Sequence, residues 1–328
     1  MKFPLALFLP ALLVSVNAFS QPGHSALPGR GLKEHPFLYV GEWDTRNPLS
    51  QKMTIVRKGK VAWQYSIPMR TLAGSIQEFD DATLLPDGNI VFACMSMAGI
   101  ITPGKNLIWQ YICSPGEETH SCIPCGIDSV LLAVNGNPAR VLIVNTRNNT
   151  ILKEIKIPVE NSNPHAQFRH VRFTADKTIL VPHLGGNKVV EYDLDGKELW
   201  SVRSMTPWSA VRLENGNTLI AGDRSGYVRE VNIKGETIWE LTGKDVPFTL
   251  FNVQTASRLA NGNTVICNWC AGNNKWEEWP GTVQVFEVTP DKKVKWALSS
   301  WENPDLGPAT YIQLLDEPGN PASSRMLR

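Results

Sequence analysis

This chain has almost no net charge: 32 Lys and Arg stand against 31 Asp and Glu, for a formal +1. That balance argues against a nucleic-acid or polyanion surface, while leaving room for a local charged pocket. A second long apolar run is also missing. Beyond residue 20 nothing approaches the ~20 apolar residues a bilayer span needs, so no stable membrane span is expected in the mature protein. The first 20 residues read as a signal peptide. Lys2 is basic, residues 4–16 are largely apolar, and Ala18 and Ser20 put small side chains where a signal peptidase cuts. Export to the periplasm or outside the cell is therefore expected. Residues 21–36, rich in Pro, Gly and His without periodicity, read as a mobile leader or a strap packed on the fold. A single domain should fill 37–328.

What the chain has in abundance is repetition. A Trp follows a turn at regular intervals: Gly59-Lys60 precedes Trp63, Gly104-Lys105 precedes Trp109, and Gly196-Lys197 precedes Trp200. Gly235-Glu236 before Trp239 and Asp291-Lys292 before Trp296 extend the series. A second marker is an apolar strand closed by a Gly-Asn turn, as in ATLLPDGN (82–89), AVRLENGN (210–217) and ASRLANGN (256–263). SVLLAVNGN (129–137) and IQLLDEPGN (312–320) are variants. The spacing of ~40–50 residues is that of four-stranded propeller blades.

Six blades are predicted. Blades two to six should cover 79–113, 127–158, 169–202, 209–241 and 255–298. Three strands at 37–42, 53–57 and 61–67 lack an inner partner, and an inner-type strand at 309–315 lacks the other three. Joined, they make blade one from both termini and leave the ring no open edge. The fold class is thus all-β, a six-bladed propeller closed by the C-terminal strand. The repeated Trp residues are expected to start outer strands and pack between blades. In blade three, Leu152 and Ile155 stand where the others carry Trp.

The piece Gly59-Lys60-Val61-Ala62-Trp63-Gln64-Tyr65 resembles PQQ-like propeller repeats, and GNTLIAG followed by EVNIKGETIWEL is similar to repeats of arylsulfotransferase-type propellers. The resemblance covers most of the mature chain, rests on scaffold residues, and implies the propeller fold. No quinone cofactor is expected from it, because the docking Trp lacks the usual Thr-Gly before it and the channel offers no calcium cluster beyond Asp80 and Asp81.

Inner strands should begin, and second strands end, at the face where the channel opens and ligands bind. That register brings Asp80, Asp81, Asp128, His120, Trp208, Asp223 and Tyr311 to the mouth as ligand-binding candidates. The long blade-six loop, NWCAGNNKWEEWPG (268–281), adds Trp269 and Trp276 as an aromatic platform or a self-packed loop. Histidine is scarce, with 6 in the chain, and four (His120, His165, His170 and His183) map to this face near blades three and four. Their spacing matches no compact metal motif, so no metal is expected. The leading reading is a non-catalytic exported propeller that binds a glycan or protein ligand. The alternative is an extracellular enzyme of lyase, hydrolase or sulfotransferase type, acting on a polysaccharide or anionic substrate. His170 or His183 would then be the acid/base, and Arg169 or Arg224 would hold the anion.

The six cysteines include two CxxC spacings, 122–125 and 267–270, on opposite blades. One zinc would need both loops to cross the channel. Disulfides are expected instead: Cys113 with Cys122 or Cys125, and Cys267 with Cys270.

Overall fold

The structure is a computed structural model that describes residues 27–222 and 226–318. The described residues form six four-stranded antiparallel sheets arranged as the blades of a propeller. Blade one joins β24 (Ala309–Leu314) to β1 (Phe37–Gly41), β2 (Gln51–Arg57) and β3 (Lys60–Ile67). Blade two runs β4 (Phe79–Leu84), β5 (Ile90–Cys94), β6 (Met97–Ile101) and β7 (Leu107–Ile112). Blade three is β8 (Glu118–Pro124), β9 (Ser129–Asn135), β10 (Arg140–Asn145) and β11 (Ile151–Lys156). Blade four is β12 (Arg172–Phe173), β13 (Ile179–His183), β14 (Lys188–Tyr192) and β15 (Glu198–Arg203). Blades five and six are β16 to β19 (Pro207–Arg212, Thr218–Gly222, Tyr227–Val231, Thr237–Thr242) and β20 to β23 (Asn252–Arg258, Thr264–Trp269, Val285–Val288, Val294–Leu298).

The ring closes as the two orphan sequence segments require. Phe37 faces Leu314, Tyr39 faces Ile312 and Val40 faces Tyr311 across the β1–β24 ladder. The Gly-Asn turns share one geometry. Gly88, Gly216 and Gly262 all sit at φ between +83° and +88°, a region that favours glycine, and each donates its N–H to the residue three back.

Each sheet is covered on both faces by its neighbours, so inner and second strands such as FLYVG (β1) and IVFAC (β5) are buried throughout. Outer strands face water on alternate residues, and there the repeated Trp acts as a clasp. The indole N–H of Trp63 donates to Pro103 O in the next blade at 2.8 Å, that of Trp109 to Asn149 Oδ1 at 2.5 Å, and that of Trp200 to Ile233 O at 2.7 Å. Trp239 donates to Pro290 O, and Trp296 to Gly31 O in the N-terminal segment. Blade three, lacking the Trp, is joined to blade four by Ile155 against Gly196 and by a Lys153–Asp195 pair at 2.7 Å.

Residues 27–36 take the strap form. Pro28 O and Pro36 O accept backbone bonds from Ala297 and Leu315, and His35 lies between Glu287 and Asp316. The signal peptide and residues 21–26 lie outside the described residues.

One blade is assigned differently from the sequence expectation. The inner strand of blade three is β8, not the SVLLAVNGN segment, which is the second strand β9. Residues 118–121, which fall between the predicted blades two and three, are therefore on the channel wall. The cysteine expectation also changes: all six are free thiols. Cys122 packs between blades two and three and Cys125 against the core between three and four, because residues three apart on a strand face opposite sides. Cys267 and Cys270 diverge likewise, into the cluster around Phe37 and the one around Trp279.

Candidate ligand site at the channel mouth

Two sequence pairs with a spacing of two put their side chains on the channel side of adjacent strands. Glu78 and Asp80 enter β4, and Glu118 and His120 enter β8. All four converge. His120 is buried, with Nδ1 at 2.9 Å from Asp80 Oδ1 and Nε2 at 3.0 Å from Glu118 Oε2. Glu118 Oε2 also bonds Nδ1 of His165 at 3.1 Å, and His165 leaves half of its side chain in solvent. The result is a line running Asp80, His120, Glu118, His165 from the interior to the opening.

The charges along this line are unequal. Burial pushes the Asp80 carboxyl well up; Arg169 opposes that, and the charges of Asp81 and Glu118 add to it. Burial and then the Arg169 charge lower His120. Burial would raise Glu118 as well, but the imidazole bonds from His120 and His165 win and hold it at about 2. These directions favour a proton between Asp80 and His120 Nδ1 and an Nε2–H that faces the Glu118 carboxylate. Glu42 and Glu78 complete the acidic wall, and burial raises both, followed by repulsion from Glu78 and Asp80 for Glu42 and from Asp80 for Glu78.

Above this wall opens a pocket of about 490 Å³, bordered by Glu42, Glu78, Glu118 and His165 and by the indoles of Trp43, Trp208 and Trp269. Trp208 and Trp269 lie with ring centres 6.5 Å apart, and the Arg169 guanidinium covers the Trp208 face at 4.9 Å. A groove of about 430 Å³ continues outward over blades two and three, sharing Ile76, Met95 and Glu118 with the first.

The remaining candidates are spread more widely. Asp81 belongs to the scaffold: its carboxylate takes a bidentate pair from Arg172 at 2.7 and 3.0 Å and the Ser121 hydroxyl at 3.0 Å, tying the inner strands of blades two, three and four. His170 is buried against Asp81 at 3.9 Å and stacked on Tyr311, below the mouth. His183 bonds Glu160 and Tyr192 outside the pocket. Asp128 lies in the turn between β8 and β9, at the opposite end of the channel, paired with Arg147; the shifted register of blade three is the reason. Trp276 is half exposed on a short 3-10 helix (Trp276–Gly281) and does not border the pocket. The base of the blade-six loop packs on itself, with Trp279 and Trp301 clasping Arg46. Asp223 and Arg224 lie outside the described residues. Glu78 and Glu118 were absent from the candidates read in the sequence, although the alternate-residue pairs Glu78/Asp80 and Glu118/His120 carry the signal.

No family model matches the chain, and no curated protein matches it. Among solved structures it is similar to a protein of unknown function from Bacteroides caccae, at 25% identity and a TM-score of 0.72, over 85% of this chain and 98% of that one. It is also similar to a catalytically inactive virginiamycin B lyase from Staphylococcus aureus with quinupristin, at 13% identity and a TM-score of 0.52, over 84% and 88% of the two chains. The WD40 β-propeller domain of Doa1 follows at 12% identity and a TM-score of 0.50, over 75% and 90%. What this chain shares with these structures is the β-propeller fold, here with six blades.

Proposed function

We propose that the protein is an exported propeller, of the PQQ-like or arylsulfotransferase-type repeat class, that binds a glycan at the channel mouth. The observation that carries this reading is the facing of three indoles and three carboxylates across one pocket. Indole faces stack on the apolar faces of sugar rings, and carboxylates accept from sugar hydroxyls. The volume suits one or two sugar units, and the adjoining groove extends the site for a longer chain, which favours a glycan over a folded protein partner. Glycan-array binding by the full chain, lost in Trp208→Ala and Trp269→Ala, tests it. An array without hits, or hits unaffected by both substitutions, would count against it.

A second reading has specific support in the Asp80–His120–Glu118–His165 line. Glu118 orients His165, whose Nε2 is free of that line, as a general acid/base at the pocket wall. In this reading the acid/base is His165 rather than His170 or His183. Turnover of a bound glycan that disappears in His165→Ala while binding persists would favour it.

A further inference from the structure

Three side chains at the mouth present donor atoms around one point. Ligand atoms of Glu78, His120 and His165 all lie within 4.8 Å of one another. Glu78 Oε1 is 3.8 Å from His120 Nδ1 and 4.0 Å from His165 Nδ1, and Asp80 Oδ1 is 2.9 Å from the same His120 nitrogen. We infer that the channel mouth is a metal site for one divalent transition-metal ion of the Zn²⁺ or Mn²⁺ class, held by Glu78, His120 and His165, with Asp80 beside His120.

The geometry fits without large movement. An ion equidistant from donors spaced up to 4.8 Å apart sits no more than about 2.8 Å from each, so small shifts bring it to the ~2.0–2.2 Å of metal bonds to imidazole and carboxylate. Two imidazoles with carboxylates select borderline transition ions over Ca²⁺ or Mg²⁺, which prefer oxygen alone. A supporting shell is in place as well, since Glu118 accepts from His120 Nε2 and fixes the tautomer that offers Nδ1.

Charge points the same way. Four carboxylates (Glu42, Glu78, Asp80 and Glu118) crowd the mouth, and the Arg169 guanidinium lies over Trp208 at its border. Asp80 Oδ2 and Glu42 Oε2 are buried with no hydrogen-bond partner. An ion would supply the missing positive charge. It would take the place of the hydrogen bonds that Nδ1 of His120 and Nδ1 of His165 now make to Asp80 and Glu118. Because Glu78 and His165 border the open pocket, the ion has an entry path and keeps positions for water or ligand.

The inference does not depend on the pocket taking a glycan, and its test uses the metals alone. The full chain, stripped with chelator at neutral pH, is titrated calorimetrically with ZnCl₂, MnCl₂ and CaCl₂. One equivalent of Zn²⁺ or Mn²⁺ should bind with proton release. Glu78→Gln and His165→Ala should each weaken binding by about 100-fold or more, and Glu118→Gln by ~10–100-fold. His165 is half exposed, so its removal leaves the fold intact and keeps the test valid should Glu78→Gln misfold. Three results would overturn the site: no saturable binding up to millimolar metal, Zn²⁺ binding unchanged in His165→Ala, or binding of Ca²⁺ alone that is lost in Glu42→Gln and indifferent to His165→Ala.

Discussion

Replacing Asp81 by Asn should be among the most destabilising isosteric changes in the protein. Asp81 is fully buried, Arg172 is 3% exposed, and the bidentate pair between them is reinforced by Ser121. Burial alone would raise the Asp81 carboxyl, but the Arg172 charge and the neighbouring His170 hold it below the usual carboxylate range. Asn keeps the shape and removes the charge, leaving the guanidinium buried and uncompensated. Breaking such a pair costs about 3–5 kcal/mol. For a domain of this size each kcal/mol moves Tm by about 2 °C, so a fall of ~6–10 °C is expected by calorimetry or circular dichroism. The double change Asp81→Leu with Arg172→Met should recover much of the loss, because an apolar pair of similar volume is often as stable as the buried ion pair. A single-variant shift under ~2 °C, or a double variant no better than the single, would refute the claim that Asp81 is a structural anchor rather than a ligand contact.

Other expectations concern the strap, the ring and the thiols. Burial works to lower His35, but its bonds to Glu287 and Asp316 prevail and raise it from 6.5 to about 9. A raised folded pKa gives stability that is complete below ~6.5 and lost as pH climbs through 9, roughly 1–2 kcal/mol after screening; the Tm difference between wild type and His35→Ala should shrink over that window. Deleting residues 309–328 removes β24, exposes the β1 edge and should abolish cooperative unfolding. In denaturant the protein should show six titratable thiols, and reductant should leave its Tm unchanged. Native Cys94, Cys267 and Cys270, pushed to about 12 by burial, should react slowly with thiol reagents.

The fold was legible because its signals are local. A Trp after a turn, or a strand ending in Gly-Asn, says where an outer or inner strand lies, and closure follows from counting the leftovers. Blade three misled for a physical reason. Its inner strand, ETHSCIP, is polar at Thr119, His120 and Ser121 because it lines the channel, and it has no Gly-Asn turn. The apolar SVLLAVNGN beside it has both the composition and the turn of an inner strand. That one-strand slip carried Asp128 to the wrong end of the channel and left Glu118 outside the predicted blades. The site itself was only partly legible. His120, Trp208 and Trp269 follow from register, whereas the meeting of Glu78 with His120 and His165 joins residues 42 and 87 positions apart, a distance no linear motif encodes.

Ligand should bind between the indoles and carboxylates at the mouth. A crystal structure of the full chain with an oligosaccharide selected on the array tests it most directly. Sugar rings should stack on Trp208 or Trp269 with hydroxyls on Glu42, Glu78 or Glu118, and the chain should continue over Met95 toward blade three. Sugar bound instead at exposed Trp276, or on the outer faces of the blades with the mouth vacant, would contradict it.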